Sequence, residues 1–350
     1  MLREMKFAYK IFATNLGFSN PYQLNFAITY KCNSRCKFCS IWKIRSKNEL
    51  TLEEIEKIAK KARFVQWLRL TGGEPFLRRD YSEILKAFYE NSSGLCLVST
   101  PTNAIASELS YKTIKKVLDF FDGKYIVSIS LDGDEATHDT LRGIRGNWRN
   151  AVNLYKRLFR LKEKYNDFSV VFGYTIYPEN VGLFENAYKA IKKELKEKVT
   201  INNFNFNLFE ISDFYYHNLG ISKTKEYFEA ARKEIEKIIK MRKKKISSVD
   251  IIQEIYLKLA MRYLKSRRTP IRCNILNLSC FLDPYGNVFP CTIFGENIGN
   301  LRENNYDLRK ILKSKKVKDI KEKTIRLKCP NCWTPCEAHQ LIVSNILKLI

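Results

Sequence analysis

Between Tyr22 and Lys245 the chain alternates two kinds of apolar pattern. Short runs rich in β-branched and aromatic residues, at 23–29, 64–71, 95–100, 125–131, 168–176 and 201–209, have the length and composition of strands. Between them apolar residues recur at helical spacing. Thr51–Ala62 shows this in Leu52, Ile55, Ile58, Ala59 and Ala62, and Thr51 with Glu54 makes a capping box at its start. A second stripe, Ala151, Leu154, Tyr155, Leu158, Leu161 and Tyr165, follows Trp148. Further helices are expected at 81–91, 106–121, 181–195, 224–245 and 250–264. Six strands alternating with helices predict parallel βαβ units, in a doubly wound sheet or in a complete or partial barrel; periodicity does not choose between these. After Thr269-Pro270 the texture changes to cysteines, a turn at Asp283-Pro284-Tyr285-Gly286 and short strands, which predicts a second, smaller domain.

Composition adds a strong basic bias: 62 Lys and Arg against 37 Asp and Glu give a formal net charge of +25. Such a surface attracts polyanions, so nucleic acid is a conceivable partner. The lysines, however, are interleaved with glutamates on helical stretches such as 189–198, as on solvated helix faces or the surface of a thermophile's protein. Nucleic acid is therefore not the favoured partner. No run approaches the roughly 18 apolar residues of a membrane span. The apolar run at Ile11–Ala13 is too short for a signal peptide, and a soluble, cytoplasmic protein is the expectation.

The ten cysteines carry more information. Cys96 stands alone in an apolar run and reads as an ordinary buried residue; the other nine fall into one group near each end. Disulfide scaffolds spread cysteine through short secreted chains, so this distribution predicts metal sites. Cys32-x3-Cys36-x2-Cys39 follows the first strand in a polar loop, and three thiolates there can wrap one iron–sulfur cube while leaving its fourth iron open. An open position is what a catalytic centre needs. A zinc site would have to borrow a fourth ligand, and none of the three histidines, His138, His217 and His339, is near in sequence.

This loop, with Phe38 directly before the last cysteine, resembles the CxxxCxΦC signature of the radical S-adenosylmethionine (SAM) superfamily. Leu70-Thr71-Gly72-Gly73-Glu74-Pro75 resembles the family's GGE motif, and Ser130 with Arg142 twelve residues later is similar to its ribose- and carboxylate-binding pair. The resemblance covers residues 22–210. It implies a partial (β/α)6 TIM-like barrel and a [4Fe-4S] cluster held by Cys32, Cys36 and Cys39. It also implies SAM bound by Phe38, Gly72, Gly73, Glu74, Ser130 and Arg142, with Asn103 a weaker candidate. The activity implied is reductive cleavage of SAM to a 5′-deoxyadenosyl radical that abstracts hydrogen from a substrate. A reductant such as ferredoxin or flavodoxin is the implied redox partner.

The later cysteines, Cys273, Cys280, Cys291, Cys329, Cys332 and Cys336, resemble the SPASM/twitch domain, which implies auxiliary iron–sulfur clusters. Six are fewer than a full SPASM domain uses. One auxiliary [4Fe-4S] cluster on Cys273, Cys291 and two later cysteines is expected, with Cys280 and Cys336 as substitutes; a four-cysteine zinc knuckle shares this spacing. The expected organisation is an N-terminal basic and aromatic segment, 1–21; a barrel, 22–245; a helical linker, 246–269; and a small cysteine-rich domain, 270–350. Three functions remain open: a radical SAM enzyme acting on a peptide, sugar, lipid or cofactor precursor; an RNA-modifying enzyme of the same kind; and a non-catalytic iron–sulfur electron carrier. The barrel mouth is expected to include the loop 210–219, with Asp213, Tyr215, Tyr216 and His217, and the apolar stretch 341–350 is expected to dock against the barrel.

Overall fold

The computed structural model describes Tyr9, Ile11 and residues 20–242 and 248–349, so most of the expected N-terminal segment 1–21 lies outside the described residues. Six parallel strands, β1 (Gln23–Thr29), β2 (Trp67–Gly72), β3 (Leu97–Thr102), β4 (Lys124–Ser130), β5 (Phe168–Ile176) and β6 (Phe204–Leu208), pair in chain order. Helices α1 (Leu52–Lys61), α2 (Tyr81–Asn91), α3 (Ser107–Leu118), α4 (Glu135–Arg142), α5 (Asn147–Leu161), α6 (Phe184–Leu195), α7 (Lys225–Met241) and α8 (Ser248–Ser266) form the connections and the outer layer. This is a partial (β/α)6 barrel.

The alternation along each strand sets its two faces. In β4 the residues Tyr125, Val127 and Ile129 are fully buried toward the helices, whereas Ile126, Ser128 and Ser130 are half-buried and line the barrel's interior. Burying each of the outward apolar side chains contributes roughly 1.5–3 kcal/mol. The helices answer with their own stripes: α5 buries Ala151, Leu154, Tyr155 and Leu158, and Tyr155 stacks on Phe172 of β5 at 4.3 Å. The capping box of α1 forms as the spacing predicts, Thr51 accepting from the Glu54 amide at 3.2 Å and Glu54 from the Thr51 amide at 2.9 Å.

The expected boundary at Thr269-Pro270 does not divide the sheet. Strand β7 (Ser279–Leu282) pairs in parallel with β1, Gln23 opposite Ser279 through Phe26 opposite Leu282, and β8 (Asn287–Phe289) and β9 (Gly299–Asn300) continue it antiparallel into one nine-stranded sheet. Beyond lie α9 (Leu308–Leu312), α10 (Lys315–Ile325) and α11 (Pro335–Ser344). Helix α11 closes the open side of the barrel: Leu341 and Ile342 are buried in the main core, and Val343 lines the cavity. The sequence reading did not foresee α4, α9, α10 or α11. No helix among the described residues is long and apolar enough to cross a membrane.

Candidate functional site

The carboxyl ends of the parallel strands surround the upper part of a cavity of about 1110 Å³. Cys32, Cys36 and Cys39 lie in the loop after β1 and all line it, together with Phe38, Gly72, Gly73, Glu74, Ser130 and Arg142. The loop is held by backbone. Arg35 and Lys37 donate to the carbonyls of Arg142 and Leu141 at 3.0 and 2.9 Å, and Ser40 donates to that of Tyr216 at 2.8 Å. Gly73 and Glu74 donate in turn to Thr29 and Lys31.

That last contact explains the two glycines. Gly72 has φ +136°, and a Cβ there would sit 2.0 Å from the Thr29 carbonyl oxygen; a Cβ on Gly73 would sit 2.4 Å from the Lys31 oxygen and 2.9 Å from Cys32 Cβ. Any side chain would push β2's end off the cysteine loop.

Glu74 is buried behind them. Its carboxylate accepts from Thr102 Oγ1 at 3.0 Å, the Asn103 amide at 2.7 Å and the Phe76 amide at 3.3 Å, yet burial still pushes its pKa up to about 7. It braces the ends of β2 and β3 and keeps one acceptor position unspent by the protein. Asn103, whose side chain reaches Asn33 at 2.8 Å and Cys32 Sγ at 3.8 Å, links the third strand's end to the cysteine loop.

Arg142 ends α4, a helix started by the Asp134 cap and stopped by Gly143 at φ +66°. Its Nε and Nη2 both reach Asp132 Oδ2, at 2.6 and 2.5 Å, its Nη1 lies 3.6 Å from Cys36 Sγ, and its guanidinium stands 5.0 Å from the Phe38 ring. Asp132 is fully buried, and its other oxygen accepts from the Thr175 amide at 2.8 Å. Asp132 is a site residue that the sequence reading missed. An acidic residue just past a strand end, ten residues before an arginine, was the available signal.

The donor set suits a group that brings positive charge. Burial raises the Cys32 thiol to about 11 and the Cys39 thiol to about 12, with the neighbouring thiols adding to the shift. Three thiols on one wall are unfavourable as thiolates until a metal compensates them. Among the described residues no three His, Cys, Asp or Glu side chains are gathered closely enough for a single metal ion. The thiols border a space, as a multi-iron cluster requires.

The C-terminal cysteines separate. Cys273, Cys291, Cys329 and Cys332 line one narrow pocket under Trp333, Glu337 and Leu341. Burial pushes Cys273 up to about 12 and Cys291 and Cys332 well above the ordinary thiol value. Four thiols around one narrow pocket fit a fully ligated iron–sulfur cluster. The two substitutes expected from sequence stand elsewhere. Cys280 is paired into β7 opposite Leu24 and packs in the main core, and Cys336, in the first turn of α11, lines the large cavity. Cys96 is half-buried and lines that cavity near its lower end, with its Sγ 3.5 Å from the Gln66 carbonyl. His138 is a core residue, its Nδ1 accepting from the Asp132 amide at 3.1 Å.

The loop 210–219 joins the two cysteine sites. Asn218 Nδ2 donates to the Phe38 carbonyl at 3.0 Å, and Glu210, buried and ion-paired with Lys223, accepts from the amide of Trp333, next to Cys332, at 3.0 Å. Tyr215 and Tyr216 pack 4.7 Å apart, and Tyr216 touches the clusters around both Cys39 and Cys291. Glu210 and Asn218 were missed as site residues, having no pattern that marks a tertiary brace.

Comparison with known proteins agrees with this arrangement. The model of the radical SAM superfamily matches residues 26–191, and that of an iron–sulfur cluster-binding domain, SPASM, matches 273–333. The GTP 3′,8-cyclase of Aeromonas hydrophila subsp. hydrophila is 33% identical over 137 residues, 35% of this chain and 38% of that protein. The sporulation killing factor maturation protein SkfB of Bacillus subtilis is 29% identical over 143 residues, 39% of this chain and 33% of that protein. The chain thus spans little more than a third of the length of the curated relatives it matches. Among solved structures, anSMEcpe with bound AdoMet superposes with a TM-score of 0.58 at 14% identity, over 94% of this chain and 98% of that one. Streptococcus suis SuiB bound to its precursor peptide SuiA gives 0.58 at 16% identity, over 85% of this chain and 65% of that one. These two likenesses show the fold.

Proposed function

Since the chain belongs to the radical SAM superfamily and carries an iron–sulfur cluster-binding domain of the SPASM type, we propose that it cleaves SAM reductively and uses the product to abstract hydrogen from a substrate held in the barrel cavity. The observation that carries this reading is the convergence of three thiols, the Gly72-Gly73 approach, Glu74, Ser130 and Arg142 on the upper wall of one cavity. When bound, the reduced [4Fe-4S] cluster would supply one electron and SAM would accept it, giving methionine and a 5′-deoxyadenosyl radical. Cys32, Cys36 and Cys39 would hold the cluster and leave one iron for SAM. Gly72 and Gly73 let the end of β2 close on the cysteine loop, Glu74 would offer its spare acceptor to an ammonium, and Phe38 would offer an apolar face to the adenine. Ser130 stands ready for a ribose hydroxyl. Asp132 fixes Arg142 so that its guanidinium meets a carboxylate without first being ordered. The enclosing strands and α11 keep bulk water from the reacting centre.

Cys273, Cys291, Cys329 and Cys332 would hold one auxiliary [4Fe-4S] cluster. A peptide is the substrate class this reading favours, by likeness to SuiB with its precursor peptide and to the maturation protein SkfB. A low-potential carrier such as ferredoxin or flavodoxin would be the reductant, and the cytoplasm the compartment that keeps ten thiols reduced. The test is anaerobic reconstitution followed by incubation with SAM and dithionite. The wild type should form 5′-deoxyadenosine and methionine in equal amounts, and Cys36→Ala should form neither. Zinc bound in the Cys32–Cys39 loop, or no 5′-deoxyadenosine from iron-loaded protein, would overturn the proposal.

A further inference from the structure

Barrel interiors are usually filled by branched apolar side chains, but the middle of this one is polar. Ser99, Ser128, Asn205 and Asn207 face the cavity from β3, β4 and β6, and Asn25 faces it from β1. Among these amides and hydroxyls stands one arginine. Arg69 is on β2, where Trp67, Arg69 and Thr71 line the cavity while Leu68 and Leu70 are buried on the other side of the strand. It lies two residues, about 7 Å, below Thr71 along the strand, and so beneath the Gly72-Gly73-Glu74 rim.

The guanidinium is held but not satisfied. Its Nε donates to Ser99 Oγ at 3.3 Å, the same oxygen that accepts from Trp67 Nε1 at 3.3 Å. Among the described residues its two terminal nitrogens have no hydrogen-bond partner, and no carboxylate lies within ion-pair distance of it. Glu337 is the carboxylate near enough to feel its charge, but Glu337 turns its oxygens to Asn25 at 3.2 Å, Ser279 at 3.0 Å and Gln340. Four further groups on the same cavity are buried without a partner, Trp42 Nε1, Gln253 Nε2 on α8, Thr292 Oγ1 and His339 Nε2 on α11. The terminal nitrogens are not sealed from solvent, so a ligand that enters this polar chamber can reach the fork.

We infer that Arg69 is a substrate-binding residue that receives a carboxylate, placing an acidic side chain or terminal carboxylate of the substrate deep in the barrel with the reacting carbon above it. The guanidinium fork matches a carboxylate with two parallel hydrogen bonds. At mid-depth this one guanidinium balances one negative charge, Lys124 and Arg142 lining the same cavity elsewhere, and the nearby Glu337, its pKa pushed up to about 7 by burial, opposes a dianion such as a phosphate monoester whenever it is ionised. The amides and hydroxyls around it suit the polar portion of the same ligand. This inference rests on the proposed function, because it assigns the substrate end of that cavity.

The test uses three probes with a common tail, butyrate, butyramide and butyl phosphate, titrated by ligand-observed NMR into the anaerobically reconstituted full chain with SAM present. Wild-type protein should bind butyrate at least tenfold more tightly than butyramide, and more tightly than butyl phosphate. Arg69→Met should remove the preference, and Arg69→Lys, which keeps charge without the fork, should retain part of it. Equal binding of butyrate and butyramide by the wild type, a stronger grip on butyl phosphate, or a preference that survives in Arg69→Met would each overturn the inference. The wild-type comparison decides even where a variant fails to fold. Wild-type 5′-deoxyadenosine formation, measured on the same sample, separates the two claims. A head-group preference without SAM cleavage sinks the proposed activity alone, and cleavage without the preference sinks the carboxylate site alone.

Discussion

Arg142 and Asp132 set the rigidity of the site at the scale of single residues. Both are buried, and the pair is finished by the Thr175 amide on the acid and by Cys36 on the base. Removing one member of such a pair leaves an uncompensated charge in the interior, which costs about 3–5 kcal/mol. Asp132→Ala should therefore lower the unfolding free energy by that amount in urea titrations; a loss below about 1 kcal/mol would show that Arg142 finds another partner. The C-terminal cysteines give a second expectation. Cys329→Ser or Cys332→Ser should lose roughly four irons per chain, whereas Cys280→Ser and Cys336→Ser should keep them, as counted by iron and sulfide analysis. Retention of all iron in Cys332→Ser would break the four-thiol assignment. Residues of this site were unevenly legible in the sequence. Cys32, Cys36, Cys39, Gly72, Gly73 and Glu74 are local, their chemistry written in short spacings. Asp132, Glu210 and Asn218 act through contacts across many residues, and nothing in a local window distinguishes them from ordinary polar residues.

Secondary-structure elements show the same division, with capping and amphipathicity readable and tertiary attachment hidden. The α1 cap was visible as Thr51 and Glu54, but not that Glu54 also accepts from Arg302 at 2.7 and 2.9 Å and from Tyr306 at 3.0 Å, tying the helix start to the C-terminal region. The hydrogen bond from Arg302 is the main cause that brings the Glu54 carboxyl down to about 2. A carboxyl whose pKa is depressed by folding stabilises the folded chain fully above its unfolded value of about 4.5, and that contribution is lost as pH falls toward 2. Arg302 is 36% exposed, so solvent screening holds the contribution to roughly 0.5–1 kcal/mol. Glu54→Gln keeps the cap geometry and removes the charge. Its stability should be lower than the wild type's at pH 6 and should converge on it by pH 2, in urea unfolding followed by circular dichroism. Parallel curves across that window would dismiss the linkage. Short α4 escaped the sequence reading because eight residues give barely two turns of periodicity, α10 because it buries only Val317, Ile320 and Thr324 among lysines, and α11 because it is buried on most sides and shows no stripe.

For the molecule as a whole, the barrel and its cysteine-rich extension share one sheet, so they are expected to unfold as one unit. The chain alternation made the six parallel strands legible, since each βαβ unit is written in consecutive segments. The pairing of β1 with β7 joins residues some 250 positions apart, and no periodicity reports a partner at that distance. Its consequences reach β1 from several sides: besides the ladder to Ser279–Leu282, Asn25 donates to Glu337 at 3.2 Å and the Tyr22 hydroxyl to the Gln340 carbonyl at 3.3 Å. A chain ending at Thr269 would expose the edge of β1, leave Leu24 and Phe26 without their covering strand and open the cavity where α11 closes it. An unpaired apolar edge of this kind associates with other chains. The truncated protein should therefore be recovered mostly as aggregate, and its soluble fraction should bind a hydrophobic dye and exchange the β1 amides early. In the intact protein the amides of β1 and β7 should exchange with the same opening free energy, as members of one cooperative unit do. A monomeric 1–269 fragment with a sharp thermal transition and protected β1 amides would mean instead that the barrel folds alone and the three-strand extension is only attached to it.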